Sequence, residues 1–203
     1  MPRTPRNLQS GHAYHVINRG NGKARVFHKP QDYEAFLNLL GTAKQRQSIK
    51  LFAFCLMPNH FHLVVQPESS LALSRFMQWL MTSHVRRYHQ HYESTGHVWQ
   101  GRFKSFAIQR DEHLITVLRY VCQNPVRAGL VKKSDEWPWS GLVRTDLLDP
   151  CPMEFNCLGV DSTDLSVQQL VELRRCVNGQ QPFGTEDWRR AIESREAGGQ
   201  ATF

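Results

Sequence analysis

The sequence has 203 residues, of which 40% are hydrophobic, so it is long enough for one core and too apolar for wholesale disorder. The net charge of +7 favours a polyanionic partner, either a nucleic acid or an anionic membrane surface. The longest apolar run, residues 51–57, is far shorter than the ~18 residues that a membrane helix needs, and no helix pairs a lysine-rich face with a large apolar face. We therefore expect a cytoplasmic protein with no membrane partner.

Apolar periodicity and turn residues predict seven elements in the order β-α-β-β-α-β-α. Asp32 stands where it can cap the first helix, and Pro58 and Asn59 supply the turn of a β-hairpin. The predicted strands cover residues 12–18, 51–56, 61–66 and 104–109, and the predicted helices cover residues 32–47, 70–92 and 112–123.

This order predicts an α+β fold, a ferredoxin-like or RRM-like sandwich with a four-stranded, mostly antiparallel sheet and flanking helices. Residues 1–11 form a basic N-terminal arm, residues 12–143 the main domain, and residues 144–203 a C-terminal extension that is partly helical. We expect Trp137 and Trp139 to anchor the extension on the domain.

Two histidines of the hairpin are the first candidates for chemistry. His60 and His62 are two residues apart on a predicted strand, so both point to the same face and can hold one divalent ion. The alternative is a pair of exposed histidines on a half-solvated sheet, which the spacing alone favours. We assign no ligand role to His84, which we expect at the surface.

The last predicted helix places a tyrosine in an unusual position. At about 100° per residue, Tyr120 lies about 140° from the middle of the apolar stripe of its helix. It is therefore a poor fit to a core aromatic residue, and is expected either to be exposed or to face another element, such as the histidine-bearing sheet. Asn124 follows one turn later on the same side.

These residues together suggest phosphodiester chemistry. A phenol is a weak nucleophile at neutral pH and must be activated, and a divalent ion can polarise a phosphodiester. Attack by Tyr120 on phosphorus would form a covalent 5′-phosphotyrosine and release a 3′-hydroxyl, and a later hydroxyl attack would rejoin the strand without ATP. A shell of imidazole and amide ligands fits Mg²⁺ or Mn²⁺, and zinc is chemically possible too.

A second group of residues has the composition of a surface for single-stranded DNA. Arg102 and Lys104 stand beside Trp99 and Phe103, which combines cations for phosphates with aromatic rings for bases. Arg19 lies in a glycine-containing loop that can approach a phosphate backbone. The alternatives are a solvated basic strand edge packed by two core aromatic residues, and a plain surface turn at Arg19.

Several segments resemble one family of enzymes in sequence, order and spacing. The segment PNHFHLVV resembles the HUH motif of single-tyrosine transposases. The closest resemblance is to their REP-associated branch, which acts on repetitive extragenic palindromes, and it extends over residues 12–143, about two thirds of the chain. It is carried by YHVINRGN, FMQWL, WQGRFKS, LRYVCQNPVRAGLV and EWPWSGL, with a weaker resemblance in PFGTEDW.

The resemblance implies a ferredoxin-like fold, His60 and His62 as metal ligands, Tyr120 as the nucleophile and Asn124 as the third ligand. The adjacent Gln123 is the alternative third ligand, because other members often have glutamine there. Members bind REP hairpins beside a short guide tetranucleotide and cut single strands with Mg²⁺ or Mn²⁺. That branch is thought to act as monomers, so we expect a monomer, with a dimer as the alternative.

The sequence analysis therefore predicts a metal-dependent transposase that nicks and joins single-stranded DNA at REP-type hairpins. The main alternative is a non-enzymatic nucleic-acid-binding module of RRM-like fold, although the sheet lacks an obvious aromatic RNA-binding signature. A third possibility is a metal-dependent phosphodiesterase that uses water as its nucleophile, in which Tyr120 would be dispensable.

Overall fold

The computed structural model describes residues 8–153 and 165–198, and the side chains up to residue 194. Its centre is one four-stranded sheet in the order β2-β3-β1-β4, and all three strand pairs are antiparallel. The sheet confirms the predicted fold class. The strands are β1 (Ala13–Arg19), β2 (Ile49–Met57), β3 (His60–Pro67) and β4 (Lys104–Ile108).

Helices cover both faces of the sheet. The helices α1 and α2 cover one face, where Phe36 and Phe76 pack with Phe61 of β3 in the larger part of the core. Val117 and Val121 of α3 cover the other face. The helices are α1 (Pro30–Arg46), α2 (Ala72–Tyr92), α3 (Glu112–Cys122), the short α4 (Asn124–Arg127), α5 (Val167–Gly179) and α6 (Glu186–Gly198).

The prediction that Asp32 caps α1 was wrong by one turn. The helix begins at Pro30, whose fixed φ suits a first helical position, and Lys29 is the N-terminal cap residue. Asp32 lies within the first turn, and its carboxylate accepts hydrogen bonds from the backbone N–H groups of His28 and Lys29 at 2.8 and 3.2 Å. Asp32 therefore provides hydrogen-bond acceptors for backbone N–H groups at the start of the helix, although it lies in the first turn and is not the cap residue.

The prediction that His84 is a surface residue was also wrong. His84 is 1% exposed, and its ring lies 5.1 Å from Phe36 and 5.3 Å from Trp99, measured between ring centroids. Burial lowers the pKa of His84 to about 3, so the ring stays neutral in the core.

The last part of the main domain packs back onto the sheet and the helix α1. Trp137 donates a hydrogen bond from Nε1 to the Leu56 carbonyl oxygen at 2.9 Å, and Trp139 stacks on Tyr33 with 4.8 Å between ring centroids. Both contacts join residues of the main domain, so the predicted role of the tryptophans in anchoring the extension stays a prediction. The boundary at residue 143 stays a prediction.

The helix α5 packs beside α3 on the second face, where Leu173 and Cys176 are buried. The chain after α5 then runs beside β4, where Phe183 exchanges backbone hydrogen bonds with Ala107 and Gln109. None of the helices in the described residues combines the length and the apolar character that crossing a bilayer requires.

Candidate active site

A cavity of about 510 Å³ opens where β1 ends and β3 and β4 begin. The antiparallel register explains which residues meet there, because it pairs Arg19 with His60 and Ile17 with both His62 and Lys104. Paired residues share a face, so His62 and Lys104 project on the side that α3 covers. The residues that line the cavity are Ile17, Asn18, Arg19, His60, His62, Gln100, Gly101, Arg102, Lys104, Tyr120, Arg174, Val177 and Asn178.

His60 and His62 share this cavity, as strand alternation requires. Their ring centroids are 5.0 Å apart and the rings are nearly perpendicular. The Nδ1 atom of His60 is hydrogen-bonded to Oδ1 of Asn59 at 2.7 Å, so its Nε2 atom is the one left for a cation. The pair therefore fits one divalent ion bound between two imidazoles.

A third histidine, which the sequence analysis missed, supports His62 from behind. His15 is fully buried on β1, and its Nε2 lies 2.9 Å from Nδ1 of His62. If Nε2 of His62 holds a metal, its Nδ1 carries the proton and donates to His15. The contact is therefore compatible with the tautomer of His62 that can bind a cation.

All three imidazoles are kept neutral by their surroundings. Burial, with a smaller effect of Arg19, lowers the pKa of His60 to about 4, and burial lowers the pKa of His15 to about 3. Burial, followed by repulsion from His15, His60 and nearby arginines, holds the pKa of His62 well below its usual value. Neutral imidazole is the form that binds a metal, so the site is ready for a cation at neutral pH.

Tyr120 faces the histidine-bearing sheet and lines the same cavity, which is one of the two placements that its helical angle predicted. Its ring centroid lies 5.8 Å from that of His62 and 6.1 Å from that of His15, with the rings nearly perpendicular in both pairs. Tyr120 is 9% exposed and belongs to the buried cluster on this face, so the expectation that it fits poorly as a core aromatic residue was wrong. The sheet thus brings the predicted nucleophile and the two predicted metal ligands together.

Arg127 is a further residue that the sequence analysis did not single out. Its guanidinium group lies 4.2 Å from the centroid of the Tyr120 ring and donates a hydrogen bond to the Tyr120 carbonyl oxygen. Arg127 lies on α4, beyond the end of α3, so the periodicity of the helix predicted over residues 112–123 does not extend to it. The contact holds the ring in place and puts positive charge beside it.

Asn124 is placed differently from the other predicted ligands. It is the first residue of α4, is half-buried, and does not line the cavity. Its Nδ2 atom is buried without a hydrogen-bond partner, so the side chain has bonding capacity that no described residue uses. Its neighbour Gln123 accepts a hydrogen bond from Arg127 at 3.4 Å. The third ligand stays a prediction.

The predicted DNA-binding residues separate into two groups. Arg19, Arg102 and Lys104 are exposed and line the cavity, which gives it three cations. Trp99 and Phe103 are 5% and 7% exposed and pack in the core, as in the structural alternative, so neither offers an open ring face. Binding of DNA by these five residues stays a prediction.

The C-terminal extension contributes to the cavity through α5. Arg174, Val177 and Asn178 lie on one side of this helix and line the cavity opposite the sheet. They are more than 100 residues from the two histidines of β3, and no sequence pattern connects the two regions. Arg174 adds a fourth cation, which suits a polyanionic ligand.

A separate group of metal-binding residue types lies at the start of α3. Asp111, Glu112 and His113 have ligand atoms within 4.8 Å of one another. Asp111 is the N-terminal cap of α3, and its Oδ1 accepts hydrogen bonds from the backbone and ring nitrogens of His113 at 2.9 and 2.7 Å. These hydrogen bonds explain why the three residues lie close together: they form the N-terminal cap of α3, which lies outside the cavity.

Comparison with known proteins places this chain in a family. The family model described as "Transposase IS200 like" matches residues 8–124, so the chain belongs to the family of IS200-like transposases. This confirms the predicted relationship to transposases at the level of the family.

Two relatives and one solved structure are named as REP-associated tyrosine transposases. One from Haemophilus influenzae is 32% identical over 103 residues, 45% of this chain and 58% of the relative, so the match spans little more than half of that protein. One from Escherichia coli is 22% identical over 165 residues, 81% of this chain and 94% of the relative. A REP-associated tyrosine transposase bound to a REP hairpin shares the fold, with a TM-score of 0.56 and 20% identity over 82% of this chain and 96% of that one.

Proposed function

We propose that this chain is a metal-dependent transposase that nicks and joins single-stranded DNA through Tyr120. The observation that carries the proposal is the meeting of Tyr120 with His60 and His62 in one cavity, 5.8 Å from the His62 ring. The surrounding cations, Arg19 and Arg102, suit a phosphodiester substrate.

The proposed reaction exchanges one ester for another at phosphorus. The phenolic oxygen of Tyr120 forms a bond to phosphorus while the bond from phosphorus to the 3′ oxygen breaks, and the phenolic proton is in effect transferred to that oxygen. The products are a 5′-phosphotyrosine and a 3′-hydroxyl. Attack by a 3′-hydroxyl on the phosphotyrosine reverses the exchange and joins strands, because the covalent bond conserves the phosphodiester energy.

A metal fits this site because two neutral imidazoles share one face and their Nε2 atoms remain available. His60 and His62 would hold it, with Asn124 or Gln123 as the third ligand. When bound, Mg²⁺ or Mn²⁺ supplies a positive charge that polarises the phosphodiester. The contact with His15 is compatible with the binding tautomer of His62, and Arg127 fixes the ring from which the attack begins.

We further propose that the substrate is a hairpin of REP type next to unpaired DNA. The support is the names of the two relatives and the structural neighbour, a REP-associated tyrosine transposase bound to a REP hairpin. The cations that line the cavity, Arg19, Arg102, Lys104 and Arg174, provide the charge that such a ligand needs.

The decisive experiment is a denaturing gel of the protein after incubation with Mg²⁺ and labelled single-stranded hairpin oligonucleotides. We expect a labelled covalent adduct that disappears in Tyr120→Phe and in the presence of a chelator. Tyr88→Phe is the matched control, because Tyr88 lies on α2 outside the cavity, and it should keep the adduct. Cleavage that persists in Tyr120→Phe would show that water is the nucleophile. Binding without adduct or cut would show a binding module.

A further inference from the structure

A second groove lies next to the active-site cavity. It has a volume of about 650 Å³ and runs between α2 and the segment of residues 96–103. Its walls are largely apolar, formed by Met77, Met81, Val85, Val98, Trp99 and Phe103. Largely apolar walls suit a ligand with flat apolar faces.

The groove and the active-site cavity are adjacent and share two lining residues. Gly101 and Arg102 line both, so they form the rim between them. This rim is held on β1, because Asn18 donates a hydrogen bond from Nδ2 to the Gly101 carbonyl oxygen at 3.1 Å and Gln100 donates its backbone N–H to the Arg19 carbonyl oxygen at 2.8 Å. A strand that occupies the cavity can therefore continue over Gly101 into the groove.

The far side of the groove carries unpaired positive charge. Gln78 and Thr82 of α2 line both this groove and a neighbouring one of about 410 Å³, which also contains Arg46, Arg75 and Arg86. These three arginines are exposed, and among the described residues none of them forms an ion pair. Apolar walls with cations beyond them match a ligand with apolar faces and anionic groups.

We propose that this groove binds unpaired bases of the DNA strand that runs out of the active site, with its phosphates toward Arg75 and Arg86. Bases pack on apolar surfaces whatever their sequence, and methionine side chains adapt to different rings. Here the half-buried Met81 and Val85 provide that surface, and Trp99 and Phe103 contribute edges rather than open faces. The inference rests on the proposed function, because that function places a DNA strand in the cavity. It assigns a second binding region, which determines how much unpaired DNA the protein holds.

A crosslinking series tests the placement directly. Each oligonucleotide carries a hairpin and an unpaired flank with 5-iodouracil at one position, and peptides crosslinked by light are mapped by mass spectrometry. We expect crosslinks from one set of flank positions to residues 74–85 and 96–103. Crosslinks confined to other surfaces, or none in the flank, would overturn the proposal.

A variant that fills the groove tests its contribution to binding. Thr82→Trp adds a bulky ring at an exposed helical position on the groove's edge, and Gln90→Trp adds the same ring at an exposed position of α2 outside it. We expect Thr82→Trp to weaken binding of flanked hairpins by about tenfold, roughly the loss of one stacked base. Gln90→Trp, and binding of hairpins without a flank, should be unchanged.

The covalent adduct separates this proposal from the proposed function. Thr82→Trp should still form the adduct at saturating DNA, because Thr82 does not line the active-site cavity. An adduct with unchanged flank affinity in Thr82→Trp would refute the groove and leave the nicking reaction intact. Absence of any adduct in the unaltered protein would refute the nicking reaction, while the crosslinks would still decide the groove.

Discussion

The hydrogen bond between His15 and His62 gives the sharpest test of how the metal site is built. Replacing His15 with phenylalanine keeps a ring of similar size in a fully buried position but removes the partner of Nδ1 of His62, 2.9 Å away. The proton on that nitrogen would then be buried without an acceptor. We expect His15→Phe to weaken the binding of Mn²⁺ even though neither strand-borne ligand changes.

The magnitude follows from the cost of an unsatisfied buried donor. That cost is about 1–3 kcal/mol, which corresponds to roughly 5- to 150-fold in affinity. Removing partners of metal-binding histidines typically costs about 10- to 100-fold. The position is dry, since His62 is 3% exposed, so water does not readily replace the lost acceptor. We therefore expect a loss of about 10- to 100-fold for His15→Phe.

Calorimetric titration of the protein with Mn²⁺ in the absence of DNA measures this directly. His15→Gln is the matched control, because its amide oxygen can accept the same proton and should restore much of the affinity. Thermal unfolding of both variants checks that the sheet is intact. Equal Mn²⁺ affinity in the original protein and in a folded His15→Phe variant would refute the positioning role of His15.

Three further predictions concern other contacts. Arg127→Leu should slow adduct formation at least about tenfold in a single-turnover assay, because a charged contact beside the nucleophile is lost, whereas equal rates would contradict a role for Arg127. His84, with its pKa lowered to about 3, stays neutral when folded but gains a proton below about pH 6.5 when unfolded, so stability should fall on acidification by up to about 1.4 kcal/mol per pH unit. In thermal unfolding, the stability of a folded His84→Phe variant should fall less steeply on acidification. An identical fall in both proteins would contradict this role of His84. Trp137→Phe should lower the free energy of unfolding in urea by about 1 kcal/mol, because the hydrogen bond to the Leu56 carbonyl oxygen is lost. An unchanged urea midpoint would contradict a contribution of this bond to stability.

The sequence predicted those parts of the site that depend on local periodicity. Alternation along β3 placed His60 and His62 on one face. The angle around α3 set Tyr120 apart from the middle of the apolar stripe, but it did not show that Tyr120 is buried in the same cluster as the stripe, with its ring beside His62. The same reasoning should have found His84, because it follows the buried Leu80 by four residues and so lies on the apolar stripe of α2.

The remaining parts depend on pairings between distant segments. His15 reaches His62 only because β1 and β3 pair with Ile17 opposite His62, which makes the two histidines diagonal neighbours across 47 residues of chain. Arg174 reaches the cavity through the packing of α5 against α3. The register between β1 and β3 and the packing of α5 on α3 do not follow from any local sequence pattern. A single sequence therefore does not predict them.

The sequence composition also suggested that the aromatic residues Trp99 and Phe103 present exposed ring faces for bases, which they do not. Trp99 and Phe103 stand beside cations in the sequence. In the structure, Trp99 packs in the core against Phe61 and Phe36, at 5.3 and 6.3 Å between ring centroids. Burial of so large a ring stabilises the fold more than an exposed stacking platform would. Their edges contribute walls to a groove instead of open faces.

The segment at Phe183 has a consequence for how copies of this chain can meet. An open four-stranded sheet has two outer strands whose unpaired backbone groups can recruit a strand from another molecule. At β4 this edge is already engaged, since Phe183 exchanges backbone hydrogen bonds of 2.9 Å with Ala107 and Gln109. On β2, Asp149 donates its backbone N–H to the Leu51 carbonyl oxygen at 2.8 Å, and its carboxylate accepts a hydrogen bond from the Leu51 N–H at 2.7 Å. A second copy that pairs with these stretches of β2 or β4 would have to displace the segment already there, so at these positions the chain's own extension works against assembly by strand addition.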